Sequence, residues 1–403
     1  MSDQSLAQDS PGRLAMLRQR LEKKLTGFTV DVPDESARAE MVAYCPERML
    51  FPVPELVLFA LRDVLGWRWH GVGEKVRWTV YGGLESQCVA FELRKFGFTV
   101  VYPKDRPDLR SRIEGQLRSA LCDVEAYLAP FAEDQVSRGE VMIVNRHSEF
   151  YTRYRFFREL AAAAYKRGAT PPPAIVSAAR AIDDPAAAKA ISVDITSRIN
   201  ARMSADREGF FHSTAMVDSY FSCLEHRLVL LRAFTGRPFA EGEVLKILAM
   251  SWDDKLKLVL PSPLPPHAGD LLGRMRRIKE RIRNPFAHGG IENDRGSLFF
   301  RLPKIGAIPA NFTRFGNSVR FSMLPVDLDD HAESCVTFDA LDVLLAANGL
   351  SGPDQFVKAG VDPVFDVTAI QEYAGAVAGG SEAIESYVEA WSSRWEQHVN
   401  MDY

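Results

Sequence analysis

The chain has 403 residues, 46% of them hydrophobic and 25% charged, with a formal net charge of −4. A length beyond the usual range of one core predicts two or three domains, and the composition is that of an ordinary soluble protein, not of a disordered or collagen-like chain. The slight acidity excludes a globally basic nucleic-acid binder, so any such surface must be local.

Cys45, Cys88, Cys122, Cys223 and Cys335 lie far apart and form no CxxC, a pattern that fits reduced thiols and argues against a disulfide framework or structural zinc. The start "MSDQSLAQDSPGR" lacks the apolar run of a signal peptide, and "PVPELVLFALRDVLGWRW" is interrupted by Glu55, Arg62 and Asp63. The expectation is a cytoplasmic protein with no membrane partner.

In chain order, an amphipathic helix ("RLAMLRQRLEKKL") precedes a second helix around Pro54 to Leu65. The runs "KVRWTVYGG", "CVAFELRKFG" and "FTVVYP" read as strands joined by tight, glycine-containing turns. A helix from Asp108 to about Ala132, a strand at "EVMIVN" and a helix through "YTRYRFFRELAAAAYKRG" follow. Residues 1–165 thus read as an α+β domain. "KRGATPPPAIVSAARAIDDPAAAKA" combines three consecutive prolines with alanines and predicts a linker over 166–193.

Residues 194–403 read as a mainly helical domain. In "MVDSYFSCLEHRLVLLRAF", Val217, Phe221, Leu224, Leu228 and Leu231 form one stripe to be buried, beside a polar line of Asp218, Ser222, Glu225 and Arg232. "EGEVLKILAMSWDDKLKLVL" reads as a second helix, ending in a Pro-rich connection. Asp270 is the expected N-cap of a third, whose stripe is Leu271, Met275, Ile278 and Ile282. After Gly290, "SLFFRLPKIGAIPANFTRFGNSVRFSMLPVDL" predicts two or three strands, and helices near "TAIQEYAGAVAG" and "SEAIESYVEAWSSRWEQHV" close the chain.

That third helix carries Arg274, Arg276, Arg277, Lys279, Arg281 and Arg283 against Glu280 alone, and leads into "RNPFAHGG". Pro285 disfavours helical geometry at Asn284, which predicts a kink or restart there. In a straight helix His288 would stand about 140° away from Arg283; a bend lets the two converge. A guanidinium grips phosphate oxygens in a planar fork, and an imidazole exchanges protons near neutral pH. Together they suit attack of an RNA 2′-OH on its own phosphate, which requires no metal or cofactor. One Arg and one His are few groups for such a step, and a symmetric dimer that places the motif twice in one cleft would complete the site.

The hexapeptide "RNPFAH", with the helices "DSYFSCLEHRLVLL" and "WDDKLKLVL" before it, resembles the Arg-x4-6-His signature and helix order of HEPN domains. These are small helical bundles common in metal-independent ribonucleases of toxin, abortive-infection and anti-phage defence systems. The resemblance covers about residues 210–291. It implies a HEPN-like bundle with a β-containing C-terminal elaboration, with Arg283 and His288 catalytic and Asn284 supporting. It further implies an acidic or polar helper from the first long helix, for which Glu225 and Asp218 are the candidates. Arg274, Arg277 and Arg281 are the residues expected to track RNA, the partner besides a second copy of the chain.

Two other readings share these residues. One is a HEPN-like module that dimerises or binds RNA or nucleotides without catalysis. The other is structural, with Arg283 capping carbonyls and His288 a satisfied histidine. P-loop, dinucleotide-binding, zincin and nucleophile-elbow motifs are missing from the sequence. Cys223 and His226 read as helix packing, Asp253 and Asp254 as surface, and Glu92 beside Lys95 as part of an ordinary hairpin. The N-terminal domain carries no motif; in a toxin-like chain it would serve as a sensor or restraint.

Overall fold

Alternating apolar residues in three consecutive runs build the centre of an antiparallel sheet, and the rest of the chain is mainly helical. The computed structural model describes residues 11–30, 40–169, 185–287, 299–309 and 324–400. The chain divides into two units, Met1–Arg138 with Glu389–Tyr403, and Gly139–Val388. Among the described residues, no helix is long and apolar enough to cross a membrane.

In the first unit the strands are β1 (Phe28–Thr29), β2 (Met41–Tyr44), β3 (Trp69–His70), β4 (Val76–Leu84), β5 (Gln87–Arg94) and β6 (Gly97–Pro103). Their order is β1-β4-β5-β6-β2, with β3 also on β4 and every pair antiparallel. Trp78, Val80, Phe91, Leu93, Phe98 and Val100 point to one face. Their core is completed by Leu17 and Leu21 of α1 (Pro11–Lys24), Val57 of α2 (Glu55–Leu58) and Ile113 and Leu117 of α3 (Asp108–Arg138). A Cβ on Gly82 would stand 2.2 Å from the Trp67 ring, so only glycine lets that indole lie on β4. The β4–β5 turn departs from the glycine expectation: Glu85 and Ser86 both take positive φ, 51° and 62°, in a two-residue turn. Glu92 stands opposite Thr79 and Thr99 and accepts a hydrogen bond from Arg94 at 2.6 Å, inside a regular hairpin.

The second unit is organised on α5 (Pro185–Phe234), a helix of 50 residues that begins inside the predicted linker. Residues 170–184 of that segment lie outside the described residues. Helix α4 (His147–Ala169) runs antiparallel along α5: His226 accepts from the Arg146 N–H at 2.9 Å near one end, and Arg167 pairs with Glu208 near the other. Close approach depends on Gly209, where a Cβ would meet the Tyr165 ring at 2.5 Å. This packing puts α4 in the second unit, so the units part after Arg138 and not at residue 165. "EVMIVN" is not a strand; it makes one isolated bridge, Met142 to Val364.

The predicted second helix of this unit divides into α6 (Glu243–Ala249) and α7 (Trp252–Val259). Ser251 is extended and its hydroxyl accepts from the Asp254 N–H, an N-cap that restarts the chain. Helix α8 (Ala268–Ile278) buries Leu271, Met275 and Ile278 as expected, but starts after His267 at a φ of 65°, and Asp270 pairs with Arg274 instead of capping. After it come α9 (Asn284–Ala287) and a hairpin, β7 (Phe299–Leu302) with β8 (Gly306–Pro309). Two helices without a sequence-based expectation follow, α10 (Leu328–Leu345) and α11 (Ser351–Lys358). Asp327 and Asp330 form a capping box at the start of α10. Helices α12 (Val367–Ala378) and α13 (Ser381–Asn400) close the chain.

Helices α10 and α11 are tied to α5 by Arg227. Its guanidinium donates to Asp342 of α10 at 2.8 Å and to Asp354 of α11 at 2.6 Å, and Tyr220 also donates to Asp342. Arg227 and Asp354 are both nearly inaccessible. Replacing Asp354 with Ala leaves the guanidinium short of charge in the core, and a loss of about 3–5 kcal/mol in chemical denaturation is expected.

His147 and His331 are buried, and burial pushes each imidazole down to about 4. The unfolded chain, with imidazoles near ~6.5, then takes up protons that the folded chain refuses, so stability falls as pH drops from about 6.5 toward about 4. Each group accounts for on the order of 1–3 kcal/mol. Thermal unfolding at pH 7 and 5 should therefore differ less for a His147→Gln/His331→Gln variant than for the parent. Equal differences would mean that the rings are not held neutral.

Candidate functional site

The residues leading to Arg283 do not continue α8 regularly. Lys279–Arg283 form a π-helical turn, in which the Asn284 N–H donates to the Lys279 carbonyl five residues back. Asn284 itself keeps helical angles, φ −58° and ψ −45°, so the irregularity precedes the proline and does not fall at Asn284.

The two arginines of the turn meet different helices. Arg281 donates to Asp330 of α10 at 2.6 Å, and that carboxylate is buried. Arg283 donates to Glu225 of α5 at 2.9 Å and stands 3.6 Å from Asp218, with its guanidinium 5.0 Å from the centre of the Phe221 ring. The structure thus brings together Arg283, Glu225 and Asp218. Phe221 in turn packs edge-on against Trp252, which anchors α7 under the site. His288 lies outside the described residues.

Side-chain exposure separates this cluster from the core ion pairs: 19% for Arg283, 34% for Glu225 and 45% for Asp218, against 5% for Arg227. A cation–carboxylate pair open to solvent can exchange its acid for another anion; one in the core cannot. Beneath Glu225 lies Lys255, buried on α7 and donating to the Leu248 carbonyl at 3.2 Å. Burial pushes its ammonium down, and the Glu225 charge opposes that shift. The sequence reading did not single out Lys255, whose place in the run "DDKLKLV" looks like an ordinary surface position.

The arginines expected to track RNA separate in the structure. Arg281 is held by the buried Asp330, Arg274 pairs with the exposed Asp270 of its own helix, and Arg277 is exposed. Arg276, not assigned a role, pairs with Asp253 at 2.8 Å. Asp253 is held well below the usual carboxylate range by the Ser251 hydroxyl and then by Arg276. Arg232, expected on the polar line with Asp218 and Glu225, is instead buried and donates to the Arg237 and Pro238 carbonyls.

Cys223 and His226 both serve packing. The thiol lies 3.6 Å from His147, and the His226 ring accepts from the Arg146 N–H, which places its own proton on Nδ1 when neutral. Cys335 lies 3.6 Å from His331, whose other nitrogen meets Ser213. Burial raises that thiol and lowers that imidazole, opposite to what a thiolate–imidazolium pair requires. Among the described residues no group of three or more His, Cys, Asp or Glu side chains could hold a metal ion.

Arg283→Gln should cost no more than about 1 kcal/mol of stability, because its partners keep access to water. Chemical denaturation beside Asp354→Ala checks this. A loss as large as that of the core variant would make Arg283 a structural ion pair.

Comparison with protein-family models, with curated proteins and with solved structures finds no match to this chain.

Proposed function

We propose that the chain is a metal-independent endoribonuclease of HEPN type, acting as a homodimer with a composite site. The observation that supports this most is the placement of Arg283: the π-helical turn presents it at a partly exposed position, held by two acids of the long helix α5. An RNA phosphate would exchange with Glu225 and Asp218 for the guanidinium, taking two of its N–H groups in the fork geometry.

With the phosphate so held, the 2′-oxygen attacks phosphorus, the P–O5′ bond breaks, and a 2′,3′-cyclic phosphate and a 5′-hydroxyl result. A base takes the 2′-OH proton and an acid delivers one to the leaving 5′-oxygen. His288 supplies one of these roles, its copy across a dimer the other, and Asn284 orients the phosphate or the ring. Arg277, exposed six residues before Arg283, is the cation assigned to a neighbouring phosphate. The setting that fits such an enzyme is cytoplasmic, toxin-like defence, with the N-terminal unit as sensor or restraint. The acids already on Arg283 favour one second reading, a HEPN-like module that binds RNA or dimerises without cleaving.

The test is cleavage of RNA by the purified full chain beside His288→Ala, with EDTA throughout. The parent should release 2′,3′-cyclic ends, and His288→Ala should be slower by about 100-fold or more. Equal cleavage by both would remove His288 from the reaction, and binding without cleavage by the parent would support the second reading.

A further inference from the structure

Beside the Arg283 cluster lies a group of aromatic rings that the proposed chemistry does not use. Phe286 is 45% exposed and Phe211 56% exposed. Phe210 holds them together: its ring meets Phe286 edge-on at 5.1 Å and Phe211 at 5.2 Å. Phe286 follows Arg283 by three residues, close to one helical turn, so the two occupy neighbouring positions at the same helix end. Phe211, Asp218 and Glu225 recur every seven residues on α5, which puts them on one line with the ring about 10 Å from Asp218.

We infer that Phe286 and Phe211 form a nucleobase platform, and that the nucleic acid bound there is single-stranded beside the phosphate held by Arg283. This rests on the ribonuclease reading and adds a substrate class to it. Exposed aromatic rings are costly in water and stack on any unpaired base, whereas the bases of a duplex are already stacked on each other. The charges nearby suit a phosphate backbone: Arg207 is exposed one turn before Phe211, and Arg277 is exposed on the helix leading to Phe286.

The probe is a single-stranded DNA oligonucleotide carrying 2-aminopurine, which lacks the attacking 2′-OH and stays intact under that chemistry. The full chain should bind it more tightly than a duplex of equal length and quench its fluorescence. Phe286→Leu and Phe211→Leu, which keep apolar bulk, should each weaken binding about 5- to 100-fold and reduce quenching, with Phe286→Tyr restoring both. Thermal unfolding of the Leu variants, unchanged from the parent, separates this from a folding defect. Leu variants that bind and quench like the parent would overturn the platform, as would a change in sedimentation on Phe286→Leu, which would mark a contact between copies. RNA cleavage by the parent with no dependence on either ring would sink the platform and leave the ribonuclease reading standing. A parent that neither binds strands nor cleaves RNA would remove both.

Discussion

The charge of Arg227 is the constraint on which the second unit depends. A guanidinium at that depth loses its hydration and must recover it from fixed acids, and the acids come from two separate helices, Asp342 of α10 and Asp354 of α11. Neither carboxylate is local in sequence to α5, so the requirement is met only when both helices have closed on it. Stacking of Tyr220 on Phe338, with ring centres 3.8 Å apart, adds apolar contact to the same closure. Once α10 is seated, its first turn lies where Asp330 can take Arg281. The core ion pair and the Arg281–Asp330 pair at the candidate site therefore both depend on the seating of α10.

Arg281 and Arg283 show how two residues of one type, two positions apart, acquire different chemistry. Arg281 meets a buried carboxylate that also serves the α10 capping box, so its partner has no freedom to leave. Arg283 meets Glu225 and Asp218, both of which retain contact with water. The first pair fixes geometry; the second keeps a cation oriented while leaving it available to a competing anion. Two positions apart on a helical turn, the two side chains lie on opposite flanks, one toward α10 and the other toward α5.

Much of this unit was legible in the sequence because periodicity survives translation into burial. Val217, Phe221, Leu224, Leu228 and Leu231 are all buried on α5, and Leu271, Met275, Ile278 and Ile282 on α8 and its continuation. Periodicity placed Asp218 and Glu225 on one polar line of α5, whereas their grouping with Arg283 was expected only from the family resemblance of the motif. Helices α10 and α11 were not anticipated. In "LDDHAESCVTFDALDVLL" the buried set includes Asp330, His331, Ser334 and Thr337, so a polar content that reads as surface is in fact interior. Only the Asp-x-x-Asp at its start signals the helix. The π turn leaves no pattern in the sequence, and the Pro285 signal was assigned to Asn284, one position after the turn ends. "EVMIVN" shows the opposite failure: its alternation is genuine, but a strand needs a partner of matching length and here finds a single bridge.

These differences share a physical cause. Apolar periodicity is a property of one element and can be read from it, whereas the partner of a buried charge is a property of the assembled fold. Arg227 and Arg232 sit on α5 among residues that look solvated and are both in the core, because acids and carbonyls distant in sequence reach them. Arg283 was picked out by its neighbours in the hexapeptide, and its accessibility follows from features the hexapeptide does not contain: the wider turn before it and the acids across from it. A polar side chain's role is thus decided by whether its partners can be displaced by solvent or ligand. By that criterion Arg283, unlike Arg227, Arg232 and Arg281, is arranged to let go.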